Sequence, residues 1–256
     1  MTELRPSIDN PLVDMHLDGL VAVVTGGGSG IGRMSSHVLA SAGADVLVLD
    51  LDAGAAALTA DEIGCAYESV DVTDEAAVVE VFSKLDRCDV LVAGAGTSLR
   101  QPTFETSLSA WQTVVDVNLN GVFLSAREAG RHMVKAGQGS IIAIASIMGH
   151  VGGAIFPNPA YHASKGGVVN LVRALAVEWA PKNVRVNALA PTFVETPFIE
   201  GLLEDQNLVS GIENLTPLGR LATVNDLAAG LLYLASPGSA MVTGQSLVID
   251  GGWLAQ

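Results

Sequence analysis

VVTGGGSGIGR, residues Val23–Arg33, joins a short apolar run to a segment of helical spacing. The run begins upstream in "LVAVVTGG" and reads as a strand; "RMSSHVLASAG" reads as the following helix, stopped by Gly43. Glycines at such a junction permit a tight turn and let backbone N–H groups approach an anion at the helix N-terminus. Alone, the cluster is equally a flexible turn. Its place between a first strand and a first helix favours a pyrophosphate cradle. The spacing, Gly26-x-x-x-Gly30-x-Gly32, differs from the ordinary dinucleotide fingerprint.

Outward from this turn, apolar runs alternate with helical segments. "DVLVLDLD" is a second strand, and "CAYESVDVTD" contains a third, with Asp74 placed to cap the helix "EAAVVEVFSKL". "CDVLVAGAG" is a fourth, followed by a helix through "SAWQTVVDVNLNGVFLSAREAGRHMVKAG". "GSIIAIASIMG" is a fifth, and a helix through Tyr161 runs to Pro181. "VRVNALAP" is a sixth strand, "VNDLAAGLLYLASPGS" a helix and "QSLVIDGGW" a last strand. Continuously apolar strands separated by helices argue for a parallel sheet covered on both faces. The expected architecture is α/β: a single doubly wound Rossmann-type domain over 19–256, with about seven parallel strands. A polar arm over 1–18 precedes it, and no repeat or linker divides the chain.

The 256 residues include 13 basic and 27 acidic side chains, a net charge of −14. That balance disfavours nucleic acid and anionic membrane as partners. Cys65 and Cys88 have no metal or redox spacing and read as small buried hydrophobes in a reducing compartment. The start, "MTELRPSIDNPLVDMHLDG", lacks the basic end and apolar core of a signal peptide. Between Lys135 and Lys165 the only ionisable groups, apart from Tyr161, are histidines; a run of that length could span a bilayer. Its Gly and Pro interruptions and Asn158 suggest a buried strand and a loop instead. A cytoplasmic protein without a bound metal is expected.

Asp50 ends the second strand about twenty residues beyond the glycines, where a carboxylate can accept from adenosine ribose hydroxyls. Its other reading is a strand-end cap. A 2′-phosphate at ~4 Å would be repelled by about 4 kcal/mol at an effective dielectric of ~20. Neither Leu51 nor Ser29 offsets that charge. NAD is therefore expected in preference to NADP. "NPAYHASKGGVVN" then sets Tyr161 and Lys165 four residues apart, neighbours on one helix face. Taken alone, such a pair is most simply a surface tyrosine beside a solvated lysine.

The set changes that reading. Thr25-Gly26-x-x-x-Gly30-x-Gly32, Asp71-Val72, Asn118 in "VNLNG", Ser146, Tyr161-x-x-x-Lys165, "NALAPTFVET" and the terminal "IDGG" occur in this order. With them the chain resembles the short-chain dehydrogenase/reductase family over nearly its full length. The resemblance implies that Tyr161 is the general acid/base and that Lys165 holds the nicotinamide ribose and lowers the Tyr161 pKa. Moving a phenol from ~10 to ~7 takes about 4 kcal/mol, an energy that a neighbouring ammonium can supply. It also implies that Ser146 hydrogen-bonds the substrate oxygen and that Asn118 holds a water linking Lys165 to solvent. Implied cofactor contacts are Gly26, Ser29, Gly30, Ile31 and Gly32 in the turn, with Asp50 and Leu51 beyond it. Asp71 and Val72 would meet adenine, Ala93 and Gly94 would contribute backbone, and Pro191, Val194 and Thr196 would face the carboxamide beside Tyr161 and Lys165. Two departures stand out. Ala93-Gly94-Ala95-Gly96 replaces the family's usual Asn-Asn-Ala-Gly, and Thr192 stands where Pro-Gly is usual.

Substrate contacts are expected from Ser146, Met148, Ile155, Phe156 and Tyr161, with His150 and Asn158 as polar contacts. Neither His150 nor His162 needs a catalytic role; both suit structural or solvent-facing positions. By the same resemblance, 195–217 forms a substrate lid. Glu200, Glu204, Asp205 and Glu213 in "PFIEGLLEDQNLVSGIENL" read as a solvated face and, if inward, would disfavour anionic substrates. The expected function is NAD(H)-dependent hydride transfer at the carbinol or carbonyl carbon of a small neutral alcohol, polyol or sugar. The alternatives are an NADPH-dependent ketoreductase, such as a 3-oxoacyl reductase, and a non-catalytic nucleotide-binding protein. The resemblance also implies a homotetramer, joined through the helix after Asn118 and the Tyr161 helix.

Overall fold

The computed structural model describes residues 15–153 and 155–256. The expected arm over 1–18 lies mostly outside the described residues. Where description begins, Leu17 is fully buried and donates its N–H to Ala42 O at 2.8 Å. Packing thus reaches back beyond Gly19.

One parallel sheet contains β1 (Val21–Thr25), β2 (Asp45–Asp50), β3 (Ala66–Ser69), β4 (Val90–Ala93), β5 (Gly139–Ile144), β6 (Val184–Pro191) and β7 (Ser246–Ile249). Their order is β3-β2-β1-β4-β5-β6-β7. β1 pairs with β2 on one side and β4 on the other. The connections therefore leave β1 in opposite directions, opening a crevice at the carboxyl ends of these strands.

Alternate residues of each strand enter opposite cores. Val23, Leu91 and Ile141 pack with Phe82 of α3 (Glu75–Ser83), Met133 of α5 (Gly121–Ala136) and Val172 of α6 (Pro159–Trp179). Val24, Val92 and Ile142 pack with Leu39 of α1 (Gly30–Ser41) and Leu231 of α9 (Val224–Ala235). Both faces being covered explains why the strands read as unbroken apolar runs. A smaller cluster seats α7 (Glu200–Leu203) and α8 (Gln206–Asn214) through Leu202 and Ile212 on Phe193 and Trp253.

Asp74 caps α3 as expected, accepting from Ala76 N and Ala77 N. One helix is missing from the sequence reading: α2 (Ala53–Ile63), an Ala-rich segment announced chiefly by its cap, Asp52. The long helix expected through Asn118 is divided: α4 (Leu108–Val115) passes through a π-helical turn, Asp116–Asn120, into α5. The stretch between Lys135 and Lys165 resolves into β5, a loop and the start of α6. Among the described residues no helix is long and apolar enough to cross a membrane. Phe82 is 1% exposed. Phe82→Ala should lower unfolding free energy by about 3–5 kcal/mol, measured by denaturant titration; a loss below about 1 kcal/mol would contradict this core assignment.

Candidate active site

The strand ends border a cavity of about 570 Å³. At one end is the glycine turn. Gly26 has φ +67°, and a Cβ there would meet Ala95 N at 2.7 Å. Gly30, φ +48°, faces Thr196. Ser29 caps α1 without spending its side chain, and the first turn of α1 carries no acid. This is a dense, donor-rich surface suited to a pyrophosphate. Asp50 lies over it, accepting from Gly28 N at 2.9 Å and Asp52 N at 3.0 Å. Arg33, the nearest cation in sequence, is held by Glu62. Ile31, Gly32, Leu51, Asp71, Val72 and Gly94 complete this end.

Pro191, Thr192, Val194 and Thr196 line the middle of the cavity. Thr192 Oγ1 is buried and has no hydrogen-bond partner among the described residues. The observed set fits a dinucleotide: glycines that leave no room for side chains, an oriented carboxylate and a hydroxyl still to be satisfied.

At the other end, Tyr161 occupies the first turn of α6, with Lys165 one turn on. Gly149, just beyond β5, lets that loop approach closely: a Cβ there would stand 2.7 Å from Lys165 O. The approach brings Ser146 onto the same wall as Tyr161. Ser146 Oγ accepts from Met148 N at 3.1 Å. Lys165 is buried, and its Nζ donates to Ile144 O at 2.6 Å. Burial pulls its pKa down to about 8. Tyr161 moves upward because of burial, with Ser146 and then Arg100 opposing the rise. Lys165 is not among the groups that oppose the rise; its Nζ donates to Ile144 O and stands 5.7 Å from the Tyr161 ring centroid.

Among the expected site residues, Ala93, Asn118 and His150 do not line the cavity. Ala93 is 1% exposed within the sheet core, because strand alternation turns it away from the crevice. Asn118 is fully buried beneath the wall; its Oδ1 accepts from Thr97 N at 2.7 Å and its Nδ2 donates to Thr97 O and Ser164 Oγ. Its side chain clamps a loop to α6, a contact that spacing alone could not show. Met148, Ile155, Phe156 and Asn158, expected as substrate contacts, line the cavity, whereas His150, also expected there, turns outward to Ser246 Oγ. His162 joins the lining.

Sequence reasoning missed Arg100, Phe193 and Phe198. For Arg100 the signal was available: it is the first cation beyond the carboxyl end of β4, on the ligand-binding edge of such sheets. Among the described residues no group of three or more His, Cys, Asp and Glu is arranged to hold a metal ion.

A family model described as enoyl-(acyl carrier protein) reductase matches residues 26–254. Galactitol 2-dehydrogenase (L-tagatose-forming) of Cereibacter sphaeroides is 38% identical, over 93% of this chain and 96% of that protein. The chain belongs to the short-chain dehydrogenase/reductase family. A second relative, cis-4-hydroxycyclohexanecarboxylate dehydrogenase of Sinomonas cyclohexanicum, is 38% identical over 92% of this chain and 96% of its own length. The crystal structure of a gluconate 5-dehydrogenase from Burkholderia cenocepacia J2315, in complex with NADP and tartrate, superposes with a TM-score of 0.92. Its identity is 32%, covering 96% of this chain and all of that one. This chain is accordingly a short-chain oxidoreductase acting on CH–OH groups, and dehydrogenases of this family bind a nicotinamide cofactor. The crowding at Gly26 predicts that Gly26→Ala weakens binding of the reduced nicotinamide cofactor at least about tenfold, or 1.4 kcal/mol, by fluorescence titration. Undiminished affinity in a folded variant would contradict the cradle.

Proposed function

We propose that this chain oxidises a secondary alcohol of a small polyhydroxylated substrate, with NAD as acceptor and Tyr161 as base. The observation that carries the reading is the meeting of Ser146, Tyr161 and Lys165 in a cavity whose far end holds Asp50 over the glycine turn. The nicotinamide supplies the hydride acceptor. As the carbinol C–H bond breaks and hydride leaves, Tyr161 takes the hydroxyl proton and Ser146 orients the oxygen. Lys165 holds the nicotinamide ribose and the wall beneath the phenol. Asn118 acts by position, clamping Thr97 and Ser164. Thr192 Oγ1, with Val194 and Thr196, offers the carboxamide its partners.

Asp50 supports NAD, because its carboxylate is fixed over the turn and Arg33 is committed to Glu62. NADP in the Burkholderia cenocepacia gluconate 5-dehydrogenase supports the cofactor, though not the acyl substrate, of the second reading, an NADPH-dependent ketoreductase such as a 3-oxoacyl reductase. The non-catalytic reading explains none of the groups at the substrate end. We assign residues 195–217 as a lid and the assembly as a homotetramer, supported by exposed Phe123 on α5 and Val177 on α6. A nicotinamide-dependent enzyme of this kind fits the cytoplasm.

Tyr161→Phe should still bind NAD while kcat falls at least about 10²-fold; unchanged kcat would remove Tyr161 from the mechanism. Alcohol oxidation needs the phenolate, so kcat/KM should rise with pH through the Tyr161 pKa, and carbonyl reduction should fall. A rate–pH profile shared by wild type and Tyr161→Phe would contradict that assignment. For cofactor choice, Asp50→Ala should lower the NAD/NADP ratio of kcat/KM at least about tenfold, within the repulsion expected of one charge pair. An unmoved ratio would show that Asp50 does not set the preference.

A further inference from the structure

We propose that Arg100 and Asn158, with His162 beside them, form a subsite for a carboxylate and its neighbouring hydroxyls, so that the substrate is a polyhydroxylated carboxylic acid. The inference rests on the dehydrogenase reading and names the substrate class of the same cavity.

Charge is segregated along that cavity. The lining carboxylates, Asp50 and Asp71, belong to the glycine-turn end; the lining cations, Lys165 and Arg100, belong to the Tyr161 end. Lys165 is engaged by Ile144 O. Arg100 is exposed at the mouth, with its guanidinium 5.3 Å from the Phe156 ring centroid and Nη2 donating to Phe198 O at 3.4 Å. Phe198 in turn sets its ring 6.0 Å from that of Tyr161. Among the described residues no carboxylate lies within ion-pair range of Arg100, although acids outnumber bases 27 to 13 in the chain. A guanidinium carries five N–H donors in a planar fork, so the group retains the edge that receives a carboxylate in two parallel hydrogen bonds.

The second observation is independent of charge. Asn158 is 5% exposed; its Nδ2 donates to Ser98 Oγ at 2.8 Å, and its Oδ1 is buried without a partner among the described residues. His162 Nδ1 stands 2.7 Å from Asn158 O. A carbonyl only accepts, so Nδ1 carries a proton, and the tautomer with its single proton there presents Nε2 as an acceptor. That atom too is buried and unpartnered among the described residues. Two acceptors beside a cation match a chain of hydroxyls ending in a carboxylate. The acids expected to repel such a ligand do not intervene: Glu200, Glu204 and Asp205 are exposed, and with Glu213 they lie outside the cavity lining.

The test pairs aldonates with the alditols of the same configuration. Titrating each into the wild-type enzyme–NADH complex should show at least one aldonate binding about tenfold or more tighter than its alditol, through the charge-assisted pair. In Arg100→Gln that ratio should collapse toward unity, and in Asn158→Leu both ligands of the pair should weaken. Arg100→Lys should restore part of the discrimination. Where turnover is measured, the aldonate/alditol ratio of kcat/KM should fall about 10–100-fold in Arg100→Gln, chiefly through KM. Alditols binding as tightly as aldonates, or an unchanged ratio in Arg100→Gln, would overturn the subsite. Turnover of alditols alone would overturn it while leaving the dehydrogenase reading intact. Aldonate binding without turnover of any alcohol would uphold it while defeating that reading.

Discussion

Lys165 Nζ donates to Ile144 O across the seam between α6 and β5, at 2.6 Å. A buried ammonium is strongly disfavoured unless hydrogen-bonded, so this contact fixes how α6 meets the sheet edge. Gly149 permits the same approach between backbones. Ser146 and Tyr161 share one wall because these two constraints act together. The parallel pairing of β1 with both β2 and β4 supplies the crevice into which that wall faces.

The two ends of the crevice differ in chemistry. One holds an oriented carboxylate above glycines that admit no side chain; the other holds cations, acceptor atoms and aromatic rings. An acidic chain can thereby present a locally positive substrate end without changing its net charge. Tyr161 feels that arrangement directly: burial raises its pKa, while Ser146 and Arg100 pull it back. Arg100 thus both lines the cavity mouth and acts on the Tyr161 hydroxyl.

Much of this was legible in the sequence where local signals and topology agree. Strand runs, Asp74 as a cap and the glycine turn each rest on contacts within a few residues. The helix α2 was less visible because its Ala-rich face gives little periodic contrast. The π turn at Asp116–Asn120 has no spacing signature, and the clamp made by Asn118 joins residues distant in sequence. The Ala93 side chain lies in the sheet core because strand alternation, rather than nearness to a motif, decides which side chains face the crevice; its expected part was a backbone contact, on which side-chain burial does not bear. Arg100 lay in plain view, but its role depends on Phe156 and Phe198, which only the fold brings to it.

The most direct measurement follows the hydride itself. Alcohols carrying deuterium on their carbinol carbons would be incubated with the chain and NAD or NADP, and the reduced nicotinamide examined by mass spectrometry and NMR. The account predicts deuterium at the nicotinamide C4, formed faster from NAD than from NADP. NAD bound at the glycine turn, with no deuterium transferred from any polyol or hydroxy acid, would contradict it.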